Sequence, residues 1–278
     1  MNGFFTIDEV AEKYIEGCQT KMDMSKKRLI GKSAMAGVMI ALGAGISSVA
    51  AHTISDVGLA RLVAGTVFPV GLMMVILLGA ELFTGDCLVS MSVFDGKQTV
   101  RKCAKLLLLV YIGNFIGASL IALLISQSGQ WEYSGGLLGA YTIKVAIGKA
   151  NISFVQGIVS GILCNFLVCA AVLMAMCAKD ITGKLLVSFF VIMLFVTSGF
   201  EHCVANMYYI TAGLIAKCNP KYLELAMETY GYTKEYLTSL NITNYFAGNL
   251  LPVTIGNIIG GAFAIGIPVY YLNRKKSV

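Results

Sequence analysis

Six long apolar stretches without charged side chains constrain this chain more than any other feature of its sequence. A helix of about 20 apolar residues crosses the hydrocarbon core of a bilayer, and each stretch approaches that length. They lie at 33–55, 62–80 with a continuation at 87–94, 106–130, 154–177, 185–200 with a continuation at 202–216, and 247–272. Only 13% of the residues are charged, against about 25% in a typical soluble protein. The pattern predicts an all-α polytopic membrane protein with six transmembrane helices, the second and fifth of them broken.

The two interruptions place polar residues at membrane depth. Residues 79–86 read Gly-Ala-Glu-Leu-Phe-Thr-Gly-Asp and form what we call the first break. Residues 198–206 read Ser-Gly-Phe-Glu-His-Cys-Val-Ala-Asn and form the second break. A helix that ends inside lipid leaves backbone N–H and C=O groups unsatisfied, at several kcal/mol each, unless protein or water binds them. Such breaks persist where they line a cavity, so they predict a pore or a transport site.

An internal repeat relates the two halves of the chain. The third span contains Ile-Gly-Asn-Phe-Ile-Gly at 112–117, and the sixth contains Ile-Gly-Asn-Ile-Ile-Gly at 255–260. Glycines at this spacing let helices approach closely. Three spans per half reverse the orientation of the second half, which predicts an inverted repeat with a site near the membrane midplane. We therefore predict one channel domain over 1–278, with half-repeats at 30–130 and 150–273.

The N-terminal segment, residues 1–29, is predicted to contain a cytoplasmic amphipathic helix over 6–24. Thr6 and Glu9 have the spacing of a capping box. The apolar residues of the segment recur on one face, which suits either a membrane surface or a neighbouring subunit.

The basic residues predict the orientation in the lipid bilayer. Fifteen of the 21 Lys and Arg residues lie on one side of the predicted spans, in the N-terminal segment, the loops 95–105 and 178–184, and the tail at 274–276. Cytoplasmic loops carry an excess of Lys and Arg, so both termini are predicted to be cytoplasmic in a multi-pass protein of the plasma (inner) membrane. No basic stretch precedes an apolar core at the N-terminus, so no cleavable signal peptide is predicted.

The cysteine and histidine content argues against a metal site. The eight cysteines are scattered without a CxxC pair, and the chain has only two histidines, whereas disulfide and zinc frameworks use clustered residues. We predict no metal and no cofactor. The net charge of +6 does not indicate nucleic-acid binding, because the basic residues lie at the ends of the predicted helices.

Several polar side chains fall inside the predicted spans, where ionisable residues are functional candidates by default. His202 either satisfies backbone carbonyl groups of the second break or faces a pore as a hydrogen-bond or proton donor. Thr84 either caps the half-helix after the first break or offers its hydroxyl group to a permeating molecule. Asn165, in the middle of the fourth span, is a candidate to tie a broken loop in place.

Other polar residues have more structural interpretations. Glu81 and Asp86 are interpreted as acceptors that fix the loop of the first break. Asn114 and Asn257, in the repeated motif, are interpreted as helix–helix hydrogen-bonding residues. Lys149 precedes the fourth span and either extends to the membrane interface or takes part in a functional site.

Three motifs together resemble the formate/nitrite transporter family. They are Leu-Gly-Ala-Glu-Leu-Phe-Thr-Gly at 78–85, Gly-Ile-Leu-Cys-Asn-Phe-Leu-Val-Cys at 161–169 and Gly-Phe-Glu-His-Cys-Val-Ala-Asn at 199–206. The resemblance runs in order over nearly the whole chain. It implies an aquaporin-like protomer of six helices and a homopentamer with one pore in each protomer.

The resemblance also implies roles for individual residues. The cytoplasmic constriction would be formed by Leu72, Leu82 and Phe83. The outer constriction would be formed by Phe68, Val168 and Phe195. Between the two would lie His202 and Thr84. The outer polar network would contain Lys149, Glu201 and Asn206.

The implied function is a channel or transporter for small monovalent anions. A bare charge at an apolar ring is costly, at about 3 kcal/mol on insertion scales, and a weak acid avoids that cost by crossing protonated. The sequence is similar to the clostridial branch described as hydrosulfide channels, which favours hydrosulfide (HS⁻). Formate and nitrite, also small anions of weak acids, stay open, as does proton-coupled transport of either.

Two other classes of protein are weighed against an anion channel. A water or glycerol pore of the aquaporin kind also has six spans and two breaks, but that family carries Asn-Pro-Ala at both breaks, and neither break here has it. A membrane enzyme would rely on His202 and Cys203. A single histidine without a second base or a metal cluster disfavours catalysis, so we predict that the protein is not an enzyme.

Overall fold

The structure, a computed structural model, describes residues 3–273. These residues are almost wholly helical, and Phe4 and Ala178 form an isolated antiparallel bridge. The α-helices in chain order are α1 Ile7–Met22, α2 Lys26–Ala51, α3 Val57–Val67, α4 Val70–Leu77, α5 Phe83–Asp86, α6 Ser90–Phe94, α7 Val100–Gln127, α8 Leu137–Ala150, α9 Phe154–Cys177, α10 Ile181–Ser198, α11 Cys203–Ala216, α12 Pro220–Tyr230, α13 Lys234–Thr238, α14 Leu251–Ile258 and α15 Ile267–Asn273. Turns of 3-10 helix cover Cys87–Val89 and Gln130–Gly136, and π-helical segments cover Asn244–Leu250 and Ile259–Gly266.

Within residues 3–273, six helical segments are long and apolar enough to cross a membrane, which confirms the predicted fold class. They are Lys26–Ala51, Val57–Leu77, Val100–Gln127, Phe154–Cys177, Ile181–Ser198 and Asn244–Asn273. The second and fifth are followed by the shorter apolar helices Phe83–Phe94 and Cys203–Ala216, so both predicted breaks are present.

The fourth span has the bounds that the sequence predicted, whereas the other five begin earlier than predicted. A charge-free stretch misses the first turns of a helix that carry charged side chains, such as Arg61 in α3 and Lys105 in α7. The first, second, third and fifth stretches also run two to four residues past the ends of their helices, because uncharged residues continue into the following turn. The tail residues 274–276, which contributed to the predicted orientation, lie outside the described residues.

The repeated glycine motifs bring equivalent helix pairs into backbone contact. A Cβ atom added at Gly117 of α7 would lie 1.9 Å from the carbonyl oxygen of Ala34 in α2. A Cβ atom added at Gly260, just after α14, would lie 2.3 Å from the carbonyl oxygen of Ile162 in α9. Only glycine allows such an approach, and its recurrence in both halves agrees with the inverted repeat.

The N-terminal helix α1 lies against the protomer itself. Its predicted capping box is present, because Thr6 Oγ1 accepts from the Glu9 N–H and the Glu9 carboxylate accepts from the Thr6 N–H. The apolar face of α1 is buried, and the Tyr14 hydroxyl donates to the Gly85 carbonyl in the first break at 3.2 Å. The predicted alternatives, a membrane surface or a neighbouring subunit, are therefore wrong for this face.

We call the side of the molecule that carries α1 and the end of α15 the terminal face. Near it, the Phe5 N–H donates to the Cys177 carbonyl at the end of α9 at 2.8 Å, and the Tyr270 hydroxyl of α15 donates to the Phe94 carbonyl at 3.2 Å. Tyr270 is buried by this packing.

The opposite face is covered by helices that the sequence analysis did not predict. There α8, α12 and α13 lie between the third and sixth spans in the chain. The ring of Trp131 is buried edge-on against Tyr222 of α12, with centroids 6.2 Å apart. Glu132 accepts hydrogen bonds from Tyr222 at 2.6 Å and from Lys221, and these bonds fasten α12 to the turn at Gln130–Gly136.

Candidate pore site

The first break is held in place by one asparagine of α7. The Asn114 Oδ1 atom accepts from the Phe83 N–H at 2.9 Å, and its Nδ2 group donates to the Glu81 carbonyl at 3.0 Å. The same Nδ2 group donates to the Ser33 carbonyl of α2 at 2.7 Å. Asn114 is completely buried. Its amide therefore satisfies backbone groups that the end of the helix would otherwise leave unpaired inside the membrane.

The second break is held by an asparagine of α14 with the same geometry. The Asn257 Oδ1 atom accepts from the Cys203 N–H at 2.9 Å, and its Nδ2 group donates to the Glu201 carbonyl at 3.0 Å and to the Gly161 carbonyl of α9 at 2.8 Å. We call each of these asparagines, with its three backbone partners, an asparagine clamp. Because the two clamps bind equivalent backbone groups, Glu81 corresponds to Glu201 and Phe83 corresponds to Cys203.

Sequence reasoning recognised only part of the role of these asparagines. It assigned Asn114 and Asn257 to helix–helix contacts, and their bonds to Ser33 and Gly161 are of that kind. It missed the bonds to the two breaks, because nothing in a single sequence states which loop a distant amide reaches. The shared motif at 112–117 and 255–260, set beside the paired breaks, is the pattern from which the clamp could have been inferred.

The first break contributes Thr84, whose hydroxyl and carbonyl groups have different partners. Its carbonyl oxygen accepts from Asn165 Nδ2 at 3.1 Å and from the Cys169 thiol at 3.2 Å, both in α9. Asn165 also donates to the Asn257 carbonyl at 2.6 Å. Asn165 thus connects the first break to the helix that holds the second, while the Thr84 hydroxyl is left to face His202.

His202 is buried at the start of α11, and its hydrogen bonds define its tautomer. Its Nδ1 atom accepts from the Ala205 N–H at 3.0 Å, so it caps α11. In the neutral ring the proton is then on Nε2, which lies 3.0 Å from the Thr84 hydroxyl oxygen. The structure therefore brings the two central residues predicted from sequence together, with an Nε2–H donor directed at the first break.

Apolar side chains lie on one side of this pair. The rings of Phe68 and Phe195 meet edge to face with centroids 5.7 Å apart, and Phe195 stacks on the imidazole of His202 at 6.0 Å. Val168 of α9 is also buried.

A cavity of about 380 Å³ lies toward the terminal face and is lined in part by Leu72 and Leu82. Phe83, predicted with these two, is not among its lining residues, and its ring packs against Tyr111 of α7 with centroids 5.0 Å apart. Basic side chains also line the cavity, including Lys21, which pairs with Glu81 at 2.7 Å and with Asp86.

The second break carries an ion pair of its own. Lys149 Nζ lies 3.0 and 3.2 Å from the two carboxylate oxygens of Glu201. Asn206 Nδ2 donates to the same carboxylate at 2.6 Å. These three residues, predicted as a polar network, are adjacent in the structure. The Lys149 side chain is 18% exposed, so it retains some contact with solvent.

The fold and the site together define the class of protein. It is a polytopic helical membrane protein in which two broken helices, held by equivalent clamps, place a histidine and a threonine together among apolar side chains. Among residues 3–273, no group of three His, Cys, Asp or Glu side chains is placed to hold a metal ion.

Comparison with known proteins then identifies the family. The family model described as "Formate/nitrite transporter" matches residues 8–271, and the chain belongs to that family. The formate channel FocA of Haemophilus influenzae is 38% identical over 219 residues, which cover 78% of this chain and 76% of the relative. The protein is therefore an anion channel or transporter.

Two solved structures extend the comparison to the fold. A structure described as a pentameric formate channel with formate bound has a TM-score of 0.79 and 29% identity, covering 90% of this chain and 98% of that one. The aquaglyceroporin of Plasmodium falciparum has a TM-score of 0.53 and 17% identity, covering 89% of this chain and 100% of that one. At that identity the second likeness concerns the fold alone, and it confirms the aquaporin-like arrangement.

Proposed function

We propose that each protomer conducts small monovalent anions of weak acids, with hydrosulfide as the favoured substrate and formate and nitrite in the same class. The observation that carries this proposal is the buried contact between His202 Nε2 and Thr84 Oγ1, at 3.0 Å. It offers a hydrogen-bond donor between Phe68 and Phe195 on one side and Leu82 on the other. An anion that has lost its hydration shell among these apolar groups needs such a donor.

The path would be asymmetric in charge. Lys149 would attract anions to the outer vestibule, since its ammonium group keeps some solvent contact. Hydrogen bonding to His202 Nε2–H, or proton transfer from it, would then reduce the cost of bringing a charge between the constrictions, about 3 kcal/mol on insertion scales. Leu72 and Leu82 are proposed as the cytoplasmic constriction, with Phe83 held beside Leu82 by its contact with Tyr111. The outer constriction is proposed to consist of Phe68, Val168 and Phe195.

The assembly and orientation belong to the same proposal. The pentameric state of the formate channel that this fold resembles supports a homopentamer of this chain. The excess of Lys and Arg in the terminal-face loops supports cytoplasmic termini in the inner membrane. The choice of hydrosulfide rests only on the sequence resemblance to the clostridial branch of the family. Formate and nitrite stay in the proposal because they are also small monovalent anions of weak acids.

The test is uptake by proteoliposomes that contain the purified protein. Vesicles are placed in gradients of hydrosulfide, formate, nitrite and glycerol, and uptake is compared with protein-free vesicles. We expect uptake of the three anions, with hydrosulfide fastest, and none of glycerol. Uptake of glycerol without any anion would contradict the proposal and favour a neutral-solute pore. An uncoupler that abolishes accumulation of the anion would instead identify proton-coupled transport.

One substitution directly tests the contact between His202 and Thr84. Thr84→Val keeps the shape of the side chain and removes the hydroxyl group that faces His202. We expect anion flux to fall about fivefold, the equivalent of one neutral hydrogen bond. The matched control is Thr66→Val, because the Thr66 hydroxyl is exposed and donates only to the Val63 carbonyl of its own helix, at 2.7 Å. Equal flux in Thr84→Val and the wild type would show that the His202–Thr84 pair takes no part in conduction.

A further inference from the structure

A fully buried asparagine that sequence analysis did not select lies beside the outer ion pair. Asn249 is in the π-helical segment Asn244–Leu250 and is 0% exposed. Its Nδ2 group donates to the Lys149 carbonyl at 2.9 Å and lies 3.4 Å from the Glu201 carboxylate. Its Oδ1 atom accepts from Asn206 Nδ2 at 2.8 Å. The Asn249 side chain thus joins the end of α8 to the second break.

The orientations of these amides follow from one another. A carboxylate accepts hydrogen bonds and donates none, so Asn206 must direct its NH₂ group toward Glu201, as it does at 2.6 Å. The second hydrogen of that group then fixes the Asn249 oxygen as its acceptor. Asn249 is left with its NH₂ group toward the Lys149 carbonyl. Asn206 therefore donates to both Glu201 and Asn249, and Asn249 in turn donates to the backbone carbonyl of Lys149.

The first half of the molecule shows that the repeat does not require this asparagine. Asn249 precedes the clamp asparagine Asn257 by eight residues, and the residue eight before Asn114 is Leu106. Leu106 is also buried. At the same spacing from its clamp, the first half therefore carries an apolar side chain, although its glutamate is also ion-paired, with Lys21. π-Helical segments inside α-helices frequently occur at functional sites, and here one carries Asn249.

We propose that Asn249 is a positioning residue for Lys149, and that it sets the concentration at which anions enter the outer vestibule. This inference rests on the proposed function. Without the Asn249 amide, the Lys149 carbonyl loses its side-chain donor and Asn206 loses its second acceptor. The end of α8 then moves relative to Glu201, and the ammonium group is no longer held at one place in the vestibule. His202 and Thr84 have no bond to Asn249, so the later steps of conduction are unaffected.

The experiment measures initial uptake of formate by proteoliposomes as a function of formate concentration. For Asn249→Leu, which copies Leu106 of the first half, we expect the half-saturating concentration to rise about fivefold, as for the loss of one or two hydrogen bonds. Maximal flux is expected to stay within about twofold of the wild type. Asn249→Ser, whose short hydroxyl group cannot reach both partners, is expected to show the same rise and serves if the leucine variant fails to assemble.

The matched control is Asn244→Leu in the same π-helical segment. The Asn244 amide donates only to the nearby Ser239 carbonyl, at 2.9 Å, so its loss should leave both parameters unchanged. An unchanged half-saturating concentration in assembled Asn249 variants overturns the inference, and so does a fall in maximal flux alone. Failure of the wild type to take up any anion would instead overturn the proposed function, a result visible before any variant is compared.

Discussion

The two breaks use the same scaffold and present different chemistry. In each, one buried asparagine binds the carbonyl of a glutamate and the N–H group two residues later, at distances that agree within 0.1 Å. Between those two backbone groups the first break carries Leu82, and the second carries His202. The repeat therefore supplies the backbone geometry, and the side chains at equivalent positions decide what each break presents. Leu82 stands opposite His202 in this alignment, and Thr84 stands opposite Val204.

Each break also carries an ion pair at an equivalent glutamate, but the residues around the two glutamates differ. Glu81 pairs with Lys21 of α1, an element outside both half-repeats, and Glu201 pairs with Lys149 of α8. Five residues after each glutamate stands Asp86 in the first break and Asn206 in the second. The terminal-face site thus holds an extra carboxylate where the other holds an amide. A duplicated scaffold can accordingly serve two unlike sides of a membrane.

Removing either clamp should have the largest effect on stability. Asn114→Leu and Asn257→Leu each leave a buried N–H group and buried carbonyl groups without a partner. We expect each to destabilise the protein by roughly 3–5 kcal/mol, from about 1–3 kcal/mol per unsatisfied group. The measurement is thermal unfolding in detergent, with Asn273→Leu at the end of α15 as control. If only one clamp variant lost stability, the two breaks would not share the scaffold described above.

Replacing His202 of the second break by leucine, the residue at the equivalent position of the first break, tests the role of the histidine while the asparagine clamp stays in place. His202→Leu copies Leu82 and should lower anion flux on the order of 10- to 100-fold, as for loss of a hydrogen bond to a charged group. The clamp through Asn257 is untouched, but the Ala205 N–H loses its cap. The loss of stability should therefore be about 1–2 kcal/mol, smaller than in the clamp variants. Uptake by proteoliposomes checks the first expectation. His52→Leu is the matched control, since His52 lies on the opposite face and its Nε2 atom contacts Ser134 at 2.8 Å. Normal flux in His202→Leu would show that the polar residue does not distinguish the breaks.

The close helix contacts of the two halves should respond alike to a single methyl group. Gly117→Ala and Gly260→Ala place a Cβ atom 1.9 and 2.3 Å from backbone carbonyl oxygens, so the helices must separate. Each should cost about 1–3 kcal/mol, measured as a loss of unfolding temperature. A Cβ atom at Gly148 in α8 meets nothing within 4 Å, and Gly148→Ala should be neutral or slightly stabilising. A large loss in only one half would show that the two contacts are not equivalent.

The smallest expected effect is a pH-dependent change in stability from one glutamate on each face of the molecule, Glu132 on the opposite face and Glu9 on the terminal face. On the opposite face, hydrogen bonds from Lys221 and Tyr222 hold the pKa of Glu132 below its ordinary value of 4.5. On the terminal face, the backbone N–H of Thr6 lowers the pKa of Glu9 from the same value. Each contribution to stability is fully present above pH 4.5 and is lost as the pH falls through the lower folded value.

Glu132→Gln and Glu9→Gln should therefore lower the unfolding temperature slightly at pH 7, and the difference from the wild type should shrink in acid. Thermal unfolding between pH 3 and pH 7 measures this. The expected shift is larger for Glu132, which joins the Gln130–Gly136 turn to α12, than for Glu9, which caps its own helix. A difference that grew in acid would contradict the assigned direction of both pKa shifts.

Much of this arrangement could be predicted from the chain because membranes restrict backbone conformation. Interrupted apolar runs could only be broken helices, and the three motifs led to the family. The helices α8, α12 and α13 were not predicted, since each is shorter than a membrane span and the constraint of spanning length does not apply to it. Asn249 was missed for another reason: an asparagine in an apolar run gives no indication of which carbonyl it will reach.

The sequence by itself determined the number of spans, the position of both breaks and the relation between the halves, because hydrophobic length and glycine spacing are local properties. Only the tertiary structure decided which groups meet. It placed Asn114 and Asn257 on the breaks, His202 against Thr84, and Lys21 and Lys149 on equivalent glutamates. These pairs are separated by 31 to 118 residues in the chain. Buried polar groups must find partners wherever the packed helices bring them, and packing is a property of the whole fold.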